Sequence, residues 1–213
     1  MQITKDILII DKPEGMTSHD VVDAVRKKFN IRKVGHCGTL DPMATGVLVI
    51  LMNQATKLSA KLSCDEKEYI CRIIFGSSTD THDRTGNIVQ VCGIKGVTTQ
   101  LVRDTIMSFK GKQEQTPPMI SAKYHKGERL YKLARKGVVV DREPVEIEIK
   151  AIDIISTGPD NAEFRIICSK GTYIRTLCHD IGKKLGCGAY MDSLRRIRSG
   201  QFCIKDALTL EAV

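Results

Sequence analysis

No apolar run in the 213 residues approaches the ~20 needed for a membrane-spanning helix, which excludes one. The opening stretch MQITKDILIIDKPEG holds only a four-residue apolar run before Asp11, so no signal peptide can be read there. The eight cysteines are therefore expected as thiols in a cytoplasmic protein, not as a disulfide framework. There is no CxxC and no HxxxH, and the adjacent pairs His36-Cys37 and Cys178-His179 lack zinc-ligand spacing. No metal site is expected. Neither an internal repeat nor a linker interrupts the chain, which reads as one domain over residues 1–213.

Acidic residues are also in short supply. Asp and Glu number 25 against 33 Lys and Arg, a formal charge of +8 that favours a polyanionic partner such as nucleic acid. The charge is uneven: RKKFNIRKVGH (26–36), KYHKGERLYKLARK (123–136) and RRIR (195–198) are basic, whereas 141–163 is mostly acidic. One basic face suited to a phosphate backbone is expected.

With 42% hydrophobic residues the chain can bury a full core. DILII (6–10) reads as a buried strand, and 17–29 as a helix capped by Thr17 or Ser18 with Val21, Val22, Val25 and Phe29 inward. GVLVILM (46–52) reads as a central strand, followed by a short helical stretch to Leu62. KEYICRIIFG (67–76) is expected to form a hairpin with IVQV across the RTGN turn. Helices are expected over 98–109, before the Pro117-Pro118 pair, and over 127–137 up to Gly137. Strands follow at 145–155 and 162–168, then a helix over 171–186 with Ile174, Leu177, Ile181 and Leu185 on one stripe, then a late strand at 199–204. Hairpins mixed with helices, without a regular strand-helix repeat, point to an α+β fold on a mixed, largely antiparallel sheet.

The most informative stretch is GHCGTLDPMATGVLVI (35–50). Gly35, Gly38 and Gly46 flank Asp41, and Pro42 restricts the aspartate to extended backbone. A carboxylate held this way can form a turn, bind a metal or act as a nucleophile, and on these residues alone all three stand open.

Six segments in order resemble the TruB-type tRNA pseudouridine synthases: IDKPEGMTS (10–18), GHCGTLDPMATGVL (35–48), KEYICRIIFGSSTDTHDRTG (67–86), QTPPMISAKYHKGERLYKLARKG (115–137), CSKGTYIRTLCHDIG (168–182) and LRRIRSGQF (194–202). The resemblance implies the pseudouridine synthase fold and assigns roles. Asp41 would be the nucleophile that initiates glycosidic cleavage of a target uridine, as a carboxylate able both to attack and to leave. Arg175 would pair with Asp41 and keep it ionised, with Asp83 holding Arg175 from its other side. Taken alone, Arg175 equally suits a helix surface, and Asp80, His82 and Asp83 equally suit capping of the RTGN turn. Tyr69 would stack on the flipped uracil and take part in the late proton transfer. His36 would fill the place of the departed base, Leu194 would line the pocket, Gly38 and Thr39 would contact substrate, and Lys12 with Pro13 would support the site from behind.

The resemblance further implies the T-loop uridine of tRNA, uridine 55, as substrate, an RNA-binding insertion at about 110–145, no cofactor or metal, and a monomer bound to the tRNA T arm. Bacterial members usually continue into a small C-terminal RNA-binding domain of the PUA kind, which this chain is expected to lack. Two alternatives stay in view: a non-catalytic tRNA-binding or RNA-folding protein, for which the basic stripe suffices, and a guide-dependent relative acting on other RNA. A pure binder has no use for a carboxylate beside phosphates. Raising salt should weaken tRNA binding, with log K falling by about 0.7–0.9 per phosphate contact per decade of salt; a flat response in filter binding would remove the basic face from the reading.

Overall fold

The computed structural model of the chain describes residues 6–63, 65–121, 123–125 and 127–213, without the side chains of 125, 131 and 135. Its first half runs β1 (Ile7–Lys12), α1 (Ser18–Phe29), β2 (Val34–Cys37), β3 (Thr45–Met52), a 3-10 stretch leading to α2 (Ser59–Leu62), β4 (Lys67–Phe75), β5 (Ser77–Thr79), β6 (Ile88–Val91) and α3 (Thr99–Met107). The second half runs β7 (Gly111–Gln115), β8 (Tyr124–His125), β9 (Glu128–Arg129), α4 (Leu130–Arg135), β10 (Val145–Thr157), β11 (Asn161–Cys168), α5 (Ile174–Leu185), β12 (Ala189–Ser199) and β13 (Phe202–Cys203). The main sheet has the order β1-β3-β12-β4-β11-β10-β7, with β2 also on β3 and β13 on β12. The expected mixed, largely antiparallel α+β fold is what forms.

Two compact units divide the chain: Met1–Ile70 with Arg165–Lys170 and Ser193–Val213, and Cys71–Phe164 with Gly171–Asp192. In the first, β1 lies antiparallel to β3 from Ile7↔Leu51 to Lys12↔Gly46. β2 is antiparallel to β3 as well, so 38–44 closes a wide hairpin. β12 meets β3 in parallel at Arg195↔Thr45 and Arg196↔Gly46. Covered on both faces, β3 is buried from Gly46 to Met52, which is why its sequence is a continuous apolar run and does not alternate.

Thr17 starts α1 with a capping box: its hydroxyl accepts from the Asp20 amide at 3.1 Å while its own amide donates to the Asp20 carboxylate at 2.7 Å. Val21, Val22 and Val25 are buried as expected, but Phe29 is 44% exposed. It stands in the last turn, just before left-handed Asn30 ends the helix at φ 52. β1 is half-buried over most of its length.

In the second unit, β7 pairs with β10, β8 with β9, and β6 with β5. The last pairing corrects the expected hairpin. The partner of IVQV is the short strand Ser77–Thr79, not 67–76, because Gly76 turns the chain at φ 99 and its carbonyl accepts from the amides of Cys92 and Gly93. The helix expected to 109 ends at Met107, well before Pro117, and β7 intervenes. The helix expected over 127–137 is shorter, Leu130–Arg135. The late strand shrinks to Phe202–Cys203, while the eleven-residue strand β12 was not expected at all. Its arginine run masks an inward and outward alternation.

α5 carries the expected apolar stripe and ends at Gly186 with φ 75. Within it, Gly182 faces Ala189 so closely that a Cβ would collide with the Ala189 amide and methyl. In an open helix, Gly→Ala stabilises by about 1 kcal/mol. At Gly182 the sign should reverse, with Gly182→Ala losing roughly 1–3 kcal/mol through overpacking; urea unfolding of the variant gives the answer, and any gain in stability would contradict the close approach.

Candidate active site

Asp41 sits in the loop between β2 and β3, in a tight turn closed by the Ala44 amide donating to the Asp41 carbonyl at 3.0 Å. The loop is pinned at almost every step by groups remote in sequence. Ser18, at the start of α1, both donates from its hydroxyl to the Leu40 carbonyl at 3.1 Å and accepts from the Leu40 amide at 2.9 Å. The Pro42 carbonyl accepts from the Gly15 amide at 2.8 Å and from Lys12 Nζ at 3.2 Å. Lys12, fully buried, also donates to the carbonyls of Pro13 at 2.8 Å and Met16 at 2.7 Å. Burial lowers its ammonium to about 8, against the opposing pull of the Asp41 charge. Lys12 therefore joins the 13–16 turn to the loop, as a support behind Asp41.

Tyr69, in β4, is buried, and burial pushes its phenol upward while the neighbouring Arg196 charge acts the other way. Asp41 lies close enough to act on the same hydroxyl. His36, in β2, is partly buried and its imidazole is held neutral by burial and by the Arg196 charge. Gly38 is partly buried with φ 75, Thr39 is exposed, and Leu194 on β12 is buried. One unit thus contains Asp41, Tyr69, His36, Lys12, Gly38, Thr39 and Leu194.

The second unit contains Asp83 and Arg175, both nearly buried. Arg175 Nη1 stands 3.9 Å from Asp83 Oδ2, its Nη2 donates to the Ile120 carbonyl, and the Tyr173 ring lies 5.9 Å from the guanidinium. Asp83 Oδ1 accepts from the Thr81 hydroxyl at 2.8 Å, the Thr85 amide at 2.9 Å and the Thr85 hydroxyl at 2.6 Å. Asp83 thus stands beside Arg175 and shapes the turn. Asp80 does only the second, binding the Asn87 amide at 2.9 Å.

Arg196 escaped the sequence reading. RRIR was grouped with the basic stripe, yet Arg196 is 1% exposed. Arg195 is engaged with Asp11 at 2.7 Å, and Arg198 with Glu68 at 2.9 Å, so the run supplies internal pairs. Alternation is confined to two short stretches, Ala189 with Met191 and Leu194 with Arg196, and the shift of phase between them hides the inward turn of Arg196. His179 was missed too: its ring stacks on His82 at 4.0 Å between centroids and 8° between planes. Among the described residues no group of three or more His, Cys, Asp or Glu could hold a metal.

The fold is a mixed, largely antiparallel sheet that carries a carboxylate, Asp41, in a loop pinned by side chains from elsewhere. The profile of the TruB family pseudouridylate synthase N-terminal domain matches residues 26–174, and that of the tRNA pseudouridylate synthase B C-terminal domain matches 175–213. The chain belongs to the TruB family of pseudouridylate synthases. It is 50% identical over 207 residues to tRNA pseudouridine synthase B of Syntrophotalea carbinolica, covering 97% of this chain and 68% of that protein. It is 50% identical over 199 residues to the protein of the same name from Thermosipho melanesiensis, covering 92% and 64%. A chain in the crystal structure of a Cbf5-Nop10-Gar1 complex superposes with a TM-score of 0.75 at 31% identity, over 99% of this chain and 54% of that one. The chain thus spans about two thirds of these two relatives and about half of the solved chain.

The histidine pair sets a pH response. Burial lowers His82 to about 4 from an ordinary 6.5, helped by the charges of His179, Arg175 and Arg142 and opposed by Asp83. Burial lowers His179 as well, with Asp180 opposing and Lys183 adding to it. Below pH 6.5 the unfolded chain takes up protons that the folded chain refuses, so stability should fall from about pH 6.5 down to about 4. His82→Asn, which tolerates the left-handed backbone at φ 65, should flatten part of that decline in urea unfolding at pH 7.5 and 5; an unchanged slope would place the titration elsewhere.

Proposed function

We propose that this chain isomerises the T-loop uridine of tRNA, uridine 55, to pseudouridine, with Asp41 as nucleophile and no cofactor. The observation that carries the reading is the rigid seating of the Asp41 loop by Ser18, Gly15 and Lys12, since a turn-forming aspartate has no need of a remote segment, 12–18, fastened to its loop at three residues. Preorganisation of this kind is what a reacting group requires. The two relatives that share half of its residues bear the name tRNA pseudouridine synthase B.

In this reading the target uridine leaves its stack, at a cost of roughly a few kcal/mol, and His36 takes the vacated place. Asp41 attacks, the bond from N1 to the ribose breaks, the uracil turns, and a bond forms from C5 to the same ribose carbon as the bond to the carboxylate breaks and Asp41 is released. The proton lost from C5 is balanced by one gained at N1, so the reaction is an isomerisation and consumes nothing. Arg175 pairs with Asp41 and keeps it ionised, and Asp83 holds Arg175. Tyr69 stacks on the uracil and serves the late proton transfer, while Leu194 lines the pocket and Gly38 and Thr39 contact the nucleotide. The basic segment 123–136, of which Lys126 and the side chains of His125, Tyr131 and Arg135 lie outside the described residues, closes on the T arm as an arm within the insertion at 110–145. Phosphate contacts there position the RNA without reading its bases. The protein acts as a monomer in the cytoplasm.

The test is pseudouridine formation in an unmodified tRNA transcript, read by chemical labelling and primer extension. Asp41→Asn should abolish the stop at the T-loop uridine while tRNA binding stays within about threefold, a shift under 1 kcal/mol. Arg175→Met should slow the single-turnover rate by about 10²-fold or more, as loss of a preorganised electrostatic partner does. Full activity of Asp41→Asn would end the nucleophile assignment. Tight, salt-sensitive binding with no product from the parent protein would favour the RNA-binding alternative.

A further inference from the structure

The segment bearing Asp41 begins at Gly38 and runs into β3 at Val47, and one side chain grips both ends. Arg196 Nε donates to the Val47 carbonyl at 2.7 Å, and Arg196 Nη2 donates to the Gly38 carbonyl at 3.0 Å. Its backbone stands opposite Gly46 in the parallel pairing of β12 with β3. The approach is as close as backbones permit: a Cβ on Gly46, which has φ 101, would collide with the Arg196 carbonyl. At the other end, a Cβ on Gly38 would lie 3.4 Å from Arg196 Nη1 and 3.6 Å from Lys67 Cε. Gly38 and Gly46, two of the glycines that flank Asp41, are therefore places where Arg196 comes close to the segment.

Arg196 is also the largest fully buried side chain described. Burying a guanidinium costs several kcal/mol unless its donors are used. A fold needing only to close β12 on β3 would do so with an apolar residue at no such cost. Its charge reaches Tyr69, His36 and Lys12, so it lies among the groups assigned to the reaction and not at their edge.

We propose that Arg196 is a positioning residue: by tying the carbonyls of Gly38 and Val47 to one rigid guanidinium it holds the Asp41 segment in a single conformation. The inference rests on Asp41 as the nucleophile. It requires arginine in particular, because Nε and Nη2 stand apart on one planar fork and so reach carbonyls that diverge, whereas a lysine ammonium, like that of Lys12, serves only carbonyls that converge on its single nitrogen.

Three measurements decide it. Arg196→Lys and Arg196→Gln are compared with the parent for cooperative thermal unfolding, for tRNA affinity by filter binding, and for single-turnover pseudouridine formation. Both folded variants should bind tRNA within twofold of the parent and react at least tenfold more slowly, lysine failing to rescue. A folded Arg196→Lys that reacts within twofold of the parent would overturn the proposal, as would equal losses in affinity and rate. Should both variants fail to fold, the parent protein supplies the test by nitrogen-15 NMR. Slow solvent exchange of the Arg196 Nε–H supports the clamp, and rapid, averaged exchange overturns it. A parent protein that makes no pseudouridine defeats the assignment of function instead, while the exchange measurement still reports on the clamp.

Discussion

Irregular backbone can be buried only if its carbonyls find donors, and the Asp41 loop is organised around that constraint. Its carbonyls at Gly38, Leu40, Pro42 and Val47 are each met by a side chain from elsewhere: Arg196, Ser18, Lys12 and Arg196 again. Two of those three donors are buried cations. A neutral side chain offers fewer protons and weaker bonds, whereas a charged donor serves several carbonyls with charge-assisted bonds. Lys67 follows the same rule, donating to the carbonyl of Ser63 at 2.7 Å and to that of Asp65. This unit therefore converts loop backbone into fixed structure with ammonium and guanidinium groups, and burial lowers His36 and Lys12, with the Arg196 charge adding to it.

The second unit reaches a similar end with the opposite sign. Asp83 is a buried carboxylate whose Oδ1 collects three donors from Thr81 and Thr85, leaving Oδ2 toward Arg175. Saturating one oxygen orients the other, so the turn and the ion pair are one piece of construction. The stacked imidazoles of His82 and His179 adjoin it, neutral and flat against each other, one residue from Asp83 and one helical turn from Arg175. Replacing either with a charged side chain would set a cation against that stack.

Much of this was legible in the sequence because it depends on local chemistry. Thr17 with Asp20 three residues later announces a helix start, the apolar run of β3 announces a strand covered on both faces, and Gly186 announces a helix end. The glycines around Asp41 marked a loop of special geometry, and the ordered motifs pointed to the family. What could not be read depends on pairing at a distance. Arginines in sequence look like surface charge, and only the register of β12 against β3 turns Arg196 inward while Arg195 and Arg198 find acids. Phe29 obeys the helical period but lies in a last turn left uncovered, and IVQV chose a three-residue partner because Gly76 had already ended the longer one.

The parallel contact of Thr45 with Arg195 joins residues 150 positions apart in the numbering. Such a long closure is slow to form, since the entropy of ordering the intervening chain is lost before the contact is gained. Synthesis proceeds from the N-terminus, so the Asp41 loop emerges, with its glycines and its aspartate, long before the strand that grips both of its ends. Until β12 arrives, the Gly38 and Val47 carbonyls lack their donor and the loop is held only from the 12–18 side. Order in the Asp41 loop is thus a late event of folding: its aspartate is among the first groups made and among the last to be fixed.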